Sequence, residues 1–110
     1  MRTLIALTLA ALVLAAPTAA SAATTKVTVT ATEFHFKLSK ASVPAGKVTF
    51  VLVNKGKLGH DFAIAGKKTH VIGHGKSATL TVSLKKGKYP YKCTVPGHAT
   101  LGMKGILTVK

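Results

Sequence analysis

The chain has 110 residues, enough for one domain, and its net charge of +14 comes from 16 Lys and Arg against two acidic residues. Its single cysteine rules out an internal disulfide, the usual staple of a small exported domain. Arg2 is the one arginine, and base readout and phosphate clamping favour arginine, so no specific nucleic-acid partner is expected.

The first segment reads as a signal peptide. Arg2 supplies the positive start, Leu4 to Ala16 is an almost unbroken apolar run, and Ala20-Ser21-Ala22 offers the small residues a signal peptidase needs. The run is too short for a spanning helix of about 20 residues, so cleavage after Ala22 or Ala23 is expected and an uncleaved anchor is the weaker alternative. No cysteine lies near the cut, which argues against a lipoprotein. Export to the periplasm or the extracellular space follows, with no membrane span in the mature form. Removing Arg2 from +14 leaves +13, carried by lysines against Glu33 and Asp61 alone.

Residues 23–110 are dominated by a period of two. Val27, Val29 and Ala31 alternate with Lys26, Thr28 and Thr30, as in a half-buried strand. From Phe34 the apolar phase shifts by one residue, through Phe34, Phe36 and Leu38, which predicts a β-bulge near Thr32 or Glu33. Pro44-Ala45-Gly46 makes a turn into a strand over Lys47 to Asn54, apolar on both faces and therefore central. Asn54-Lys55-Gly56 breaks it, and a further strand is expected over His60 to Ala65. Gly66-Lys67-Lys68 and Gly73-His74-Gly75 are turns, and Ala78, Leu80, Val82 and Leu84 mark the next strand. Lys88 to Cys93 and Gly105 to Lys110 read as the last two strands, joined by a loop from Thr94 to Met103. Short strands with closely spaced turns and no helical periodicity predict an all-β fold: a Greek-key antiparallel β-sandwich of about 7–8 strands.

The loop carries the chemistry. In Cys93-Thr94-Val95-Pro96-Gly97-His98-Ala99-Thr100-Leu101-Gly102-Met103, intervals of five put a thiolate, an imidazole and a thioether on one short connection. Thiolate and imidazoles with a weak thioether are the donor set of a blue-copper electron-transfer site. The set needs a second histidine, and His60, just after a loop, supplies it. Tyr89, Tyr91 and Cys93 share one strand phase, so tyrosines facing the core bring the sulfur inward too. Zinc suits the Cys/His pair but has little use for a thioether, and a second copper would need a second cysteine. A Cys–His nucleophile would leave Met103 unexplained.

Asn54-x-Gly56-x3-His60, Gly87-x-Tyr89-x-Tyr91-x-Cys93, Pro96-Gly97-His98 and Gly102-Met103 together resemble the cupredoxin family of small blue copper proteins, over essentially all of residues 23–110. The resemblance implies one type 1 copper per chain, with His60, Cys93 and His98 as strong equatorial ligands, Met103 as a long axial one, and the Gly59 carbonyl as a weaker fifth contact. It also implies a one-electron carrier and not an enzyme, since no coordination position stays open for a substrate. Several members carry Asn after the first histidine where this chain has Asp61. That carboxylate can tie the ligand loops together by accepting hydrogen bonds from Thr94, and lower the reduction potential.

The other histidines, His35, His70 and His74, read as surface residues, with an adventitious metal site at His70 and His74 as a minor alternative. Leu58, Pro96, Gly97, Ala99 and Leu101 are expected to frame an exposed edge of His98, with Lys57, Lys92 and Lys104 at the margin steering transient acidic redox proteins toward a monomer. Two competing functions remain in the sequence: a periplasmic copper carrier or scavenger, and a basic protein binding nucleic acid or anionic membrane. Scattered lysines and few aromatics speak against the latter.

Overall fold

The computed structural model describes residues 23–110, so the signal-peptide reading of residues 1–22 lies outside the described residues. The strands are β1 (Thr25–Thr32), β2 (His35–Leu38), β3 (Ser42–Val43), β4 (Gly46–Asn54), β5 (Ala63–Ile64), β6 (Lys67–Lys68), β7 (Ser77–Leu84), β8 (Gly87–Lys92) and β9 (Lys104–Val109). They form two sheets, ordered β2-β1-β4-β7 and β3-β9-β8-β5-β6, and no helix occurs among the described residues. The all-β sandwich expected from the alternation is what the chain builds. Among the described residues the strand count rises to nine because β3, β5 and β6 are two-residue pieces.

Hairpin neighbours pair antiparallel, but β1 runs parallel to β4 and β3 parallel to β9. The chain crosses to the other sheet after β2 and comes back beside β1 in the same direction, which makes the first parallel contact. β4 is central, flanked by β1 and β7, as its apolar character predicted. Its outward Val51 and Val53 are only half-buried, while Val48, Phe50 and Leu52 are sealed inside.

The predicted bulge is absent. Thr32 pairs with His35 and Ala31 with Phe36, so Glu33 and Phe34 form the tip of a hairpin between β1 and β2. Residues paired across a hairpin lie on the same face, and this pairing matches an odd-numbered residue with an even one. The apolar phase therefore changes because the chain reverses, with no residue inserted.

Val27, Val29 and Ala31 of β1 meet Val48, Phe50 and Leu52 of β4, with Ile64, Leu107 and Val109 from the opposite sheet. Each of the Val, Leu, Ile and Phe side chains contributes roughly 1.5–3 kcal/mol on burial. Phe62 joins the layers. Its ring lies 5.1 Å from Phe50, 5.5 Å from Phe36 and 5.4 Å from Tyr91, and it is fully buried two residues after His60. The strand expected over His60 to Ala65 shrinks to β5. Beside Lys92, the last β8 residue paired with β5, the Thr94 N–H goes to the Asp61 carboxylate instead of a backbone carbonyl, and the ladder stops. No helix of the described residues is long and apolar enough to cross a membrane.

Candidate metal centre

Cys93 follows β8 in the same phase as Tyr89 and Tyr91, and it is buried as that phase predicted. The loop beyond it is closed by its own backbone. His98 N–H donates to Val95 O at 3.1 Å, Met103 N–H to His98 O at 3.1 Å and Cys93 N–H to Met103 O at 3.0 Å. These bonds turn ten residues back on themselves, so Met103, fully buried, returns beside Cys93. Gly102 permits the last turn: its φ is 119°, and a Cβ there would meet Phe34 O at 3.3 Å.

His60 arrives from another part of the chain. Its N–H and C=O both bond to Ile72, at 3.1 and 2.9 Å, an isolated two-bond bridge that fixes the backbone. Fully buried Asn54 organises the approach. Its amide donates to Leu58 O at 2.8 Å and Ile72 O at 2.9 Å, and its oxygen accepts the Gly56 N–H at 2.9 Å. One side chain thus replaces the backbone bonds that the loop cannot make for itself. On the far side of His60, Phe62 plugs the core and exchanges hydrogen bonds with Thr69.

The three predicted donors converge. His60 Nδ1 lies 3.1 Å from His98 Nδ1, and Cys93 Sγ lies 3.6 Å from the same atom. The His60, Cys93 and His98 ligand atoms all lie within 4.8 Å of one another, and all three residues are buried. A first-row ion with bonds of about 2.0 Å to nitrogen and about 2.3 Å to sulfur sets its ligand atoms roughly 3–4 Å apart. The 3.1 and 3.6 Å separations fall within that range, so one such ion could take all three donors.

Asp61 ties the two ligand segments. One carboxylate oxygen accepts the Thr94 N–H at 2.6 Å and the other accepts the Thr94 hydroxyl. Burial pushes the Cys93 thiol above its usual range, opposed by hydrogen bonds from the Asp61 and Val95 backbone. A metal must therefore displace a proton to take the sulfur.

Sequence reasoning missed two neighbours of the site. The Phe34 ring sits edge-on to His98 with centroids 5.0 Å apart. The Glu33 carboxylate lies 3.4 Å from His60 Nε2 and accepts the Leu58 N–H at 2.6 Å, the contact that chiefly holds this acid below its ordinary range. The available signal was that Glu33 and Asp61 are the only acidic residues in the chain. His98 shows less surface than expected, at 8% exposed. His35, His70 and His74 are surface residues, and His74 Nδ1 is engaged by the Gly56 carbonyl at 2.7 Å.

A two-sheet β-sandwich holding buried His, Cys and His donors at one end defines a class of small metalloprotein. Residues 4–109 match the family of the cupredoxin-like domain, and the chain belongs to the cupredoxin family. It is 35% identical over 102 residues to rusticyanin from Acidithiobacillus ferrooxidans, covering 71% of this chain and 65% of that protein, so it spans less than two thirds of that relative's length. The structure of dithionite-reduced auracyanin from Roseiflexus castenholzii superposes with a TM-score of 0.68 at 25% identity, over 81% of this chain and 99% of that one. Rusticyanin from Thiobacillus ferrooxidans gives 0.67 at 26% identity, over 79% and 77%. The His60, Cys93 and His98 cluster fits one type 1 copper site, since this soft and borderline donor set is the one such copper requires.

Proposed function

We propose that the chain is an exported blue copper protein that carries single electrons, with His60, Cys93 and His98 as equatorial ligands, Met103 as axial ligand and the Gly59 carbonyl as a weaker fifth contact. The observation that carries this reading is the convergence of two Nδ1 atoms and one thiol sulfur, buried on preformed loops. Bound copper supplies a one-electron couple between Cu(II) and Cu(I). The chain's part is to hold the donors still, so that both oxidation states share nearly one geometry. The Ile72 bridge, the Asn54 amide and the Asp61–Thr94 tie each restrain one side of the cluster. Export is supported by the signal-like composition of residues 1–22.

The test is addition of Cu(II) to the purified protein. An intense visible absorption from a copper–thiolate bond is expected, and its absence would refute the assignment. Reversible voltammetry on the same sample separates an electron carrier from a copper carrier, which would lose the ion to a chelator.

Exposed Leu58 and Leu101, 47% and 62% accessible, adjoin the ligand segments, with Lys57, Lys92 and Lys104 exposed in the same stretches. This combination supports brief docking of acidic redox partners to a monomer, with lysines steering the encounter. Electron-transfer rates with an acidic partner should fall severalfold as the Debye length drops from about 30 Å at about 0.01 M salt to about 8 Å at about 0.15 M. A flat profile in stopped-flow measurements would remove steering.

Asp61→Asn keeps an oxygen for the Thr94 N–H and removes a negative charge beside the thiolate. The reduction potential should rise by tens of millivolts, on a scale where tenfold in relative affinity is about 59 mV for one electron. An unchanged or lower potential by voltammetry would contradict this role.

A further inference from the structure

Fifteen lysines leave the chain short of carboxylates, and both that it has lie at the metal end: Asp61 on Thr94 and Glu33 against His60. Asp61 has an evident task in joining the ligand segments. Glu33, at the exposed tip of the β1–β2 hairpin, is directed back over the His60 loop, where its carboxylate meets the Leu58 N–H and the His60 ring.

The loop is shaped to receive it. A Cβ on Gly56 would stand 2.5 Å from Glu33 Oε1, 2.7 Å from Oε2 and 2.8 Å from Cδ, so only glycine leaves the space in which the carboxylate lies. The Leu58 N–H reaches Oε1 at 2.6 Å. The receiving backbone is fixed separately, by Asn54 on the Gly56 N–H and Leu58 O and by His74 on the Gly56 carbonyl. The same Oε1 lies 3.4 Å from His60 Nε2, on the opposite side of the ring from the Nδ1 that faces His98. A carboxylate behind one ring nitrogen fixes the proton there and leaves the other nitrogen's lone pair for a metal.

We propose that Glu33 is a positioning residue for His60: it holds the Nε2–H tautomer, aims Nδ1 at the Cys93–His98 cluster, and by its charge favours the oxidised over the reduced metal. The inference rests on the copper reading above. At 3.4 Å the contact acts through charge and tautomer more than through a short hydrogen bond. It differs from a loop anchor in one respect. An anchor needs only an acceptor for the Leu58 N–H, whereas tuning needs the negative charge.

The Glu33→Gln variant separates the two, because its amide oxygen still accepts from Leu58 while the charge is gone. In the copper-loaded protein, voltammetry of Glu33→Gln should show the preference for Cu(II) over Cu(I) falling about threefold to tenfold, the upper figure corresponding to a rise of about 59 mV. In the metal-free protein, nitrogen chemical shifts of the His60 ring should report the Nε2–H tautomer, with loss of that preference in Glu33→Ala. An unchanged potential in Glu33→Gln, or a tautomer indifferent to Glu33→Ala, overturns the proposal. Should Glu33→Ala not fold, Glu33→Ser, whose side chain is too short to reach the ring, is read by the same ring shifts and decides the tautomer. A wild-type protein without the copper–thiolate absorption would sink the copper reading instead, and the ring shifts of the metal-free protein would then judge Glu33 alone.

Discussion

Replacing Cys93 by Ser should abolish the intense copper–thiolate absorption and weaken Cu(II) binding by more than the roughly 10–100-fold that loss of a group behind a ligand costs. The residue is 1% exposed, and its sulfur is the one soft anionic donor in the cluster. A serine hydroxyl in its place is a hard donor that stays protonated near neutral pH, so neither the charge transfer nor the affinity survives. The fold should persist, because the loop closes through the backbone bond from Cys93 N–H to Met103 O, which the substitution leaves intact. A destabilisation of about 1–3 kcal/mol in the metal-free protein is expected from burying a hydroxyl in a site made for sulfur. Visible spectroscopy with copper titration, alongside urea denaturation without metal, gives both numbers. A variant that kept the strong absorption would show that Cys93 is not the thiolate ligand.

Asn54→Ala should be the most damaging change outside the donor set. The side chain is fully buried and makes three hydrogen bonds, two of them to groups away from solvent. Removing it orphans the Gly56 N–H, while Ile72 O keeps one partner in the His60 N–H. With an unsatisfied buried group costing about 1–3 kcal/mol and the remaining lost bonds adding to it, the total should be about 2–4 kcal/mol. For a domain of this size, that lowers the melting temperature by roughly 10–25 °C. The copper site should suffer as well, because the loop carrying His60 loses its internal brace. A change below about 0.5 kcal/mol in denaturant midpoints, with normal copper loading, would show that water replaces the amide without loss.

Much of this was legible beforehand because it depends on local periodicity. Alternation at Val27-Val29-Ala31 and at Ala78-Val82-Leu84 fixes which faces are buried, and those residues line the core. The shared phase of Tyr89, Tyr91 and Cys93 placed the sulfur inward, and five-residue intervals placed His98 and Met103 on one closing loop. The hairpin at Glu33-Phe34 reads as a bulge in the sequence because a reversal and an inserted residue leave the same one-step phase shift. The strand expected over His60 to Ala65 is shorter in the structure because apolar residues there serve a loop: Phe62 buries itself without a β-ladder, while Asp61 satisfies Thr94.

By itself, then, the sequence determined the sandwich, the strand phases and the donor types, since these follow from spacing along one strand or loop. Only the tertiary structure decided how His60, 33 residues before Cys93, comes to face it, and which nitrogen it presents. It alone revealed that Glu33 and Asp61, the two carboxylates of a strongly basic chain, are both placed against the ligand segments. Contacts between segments far apart in the chain depend on how two sheets pack and where each loop closes, and no periodicity within a single segment encodes that.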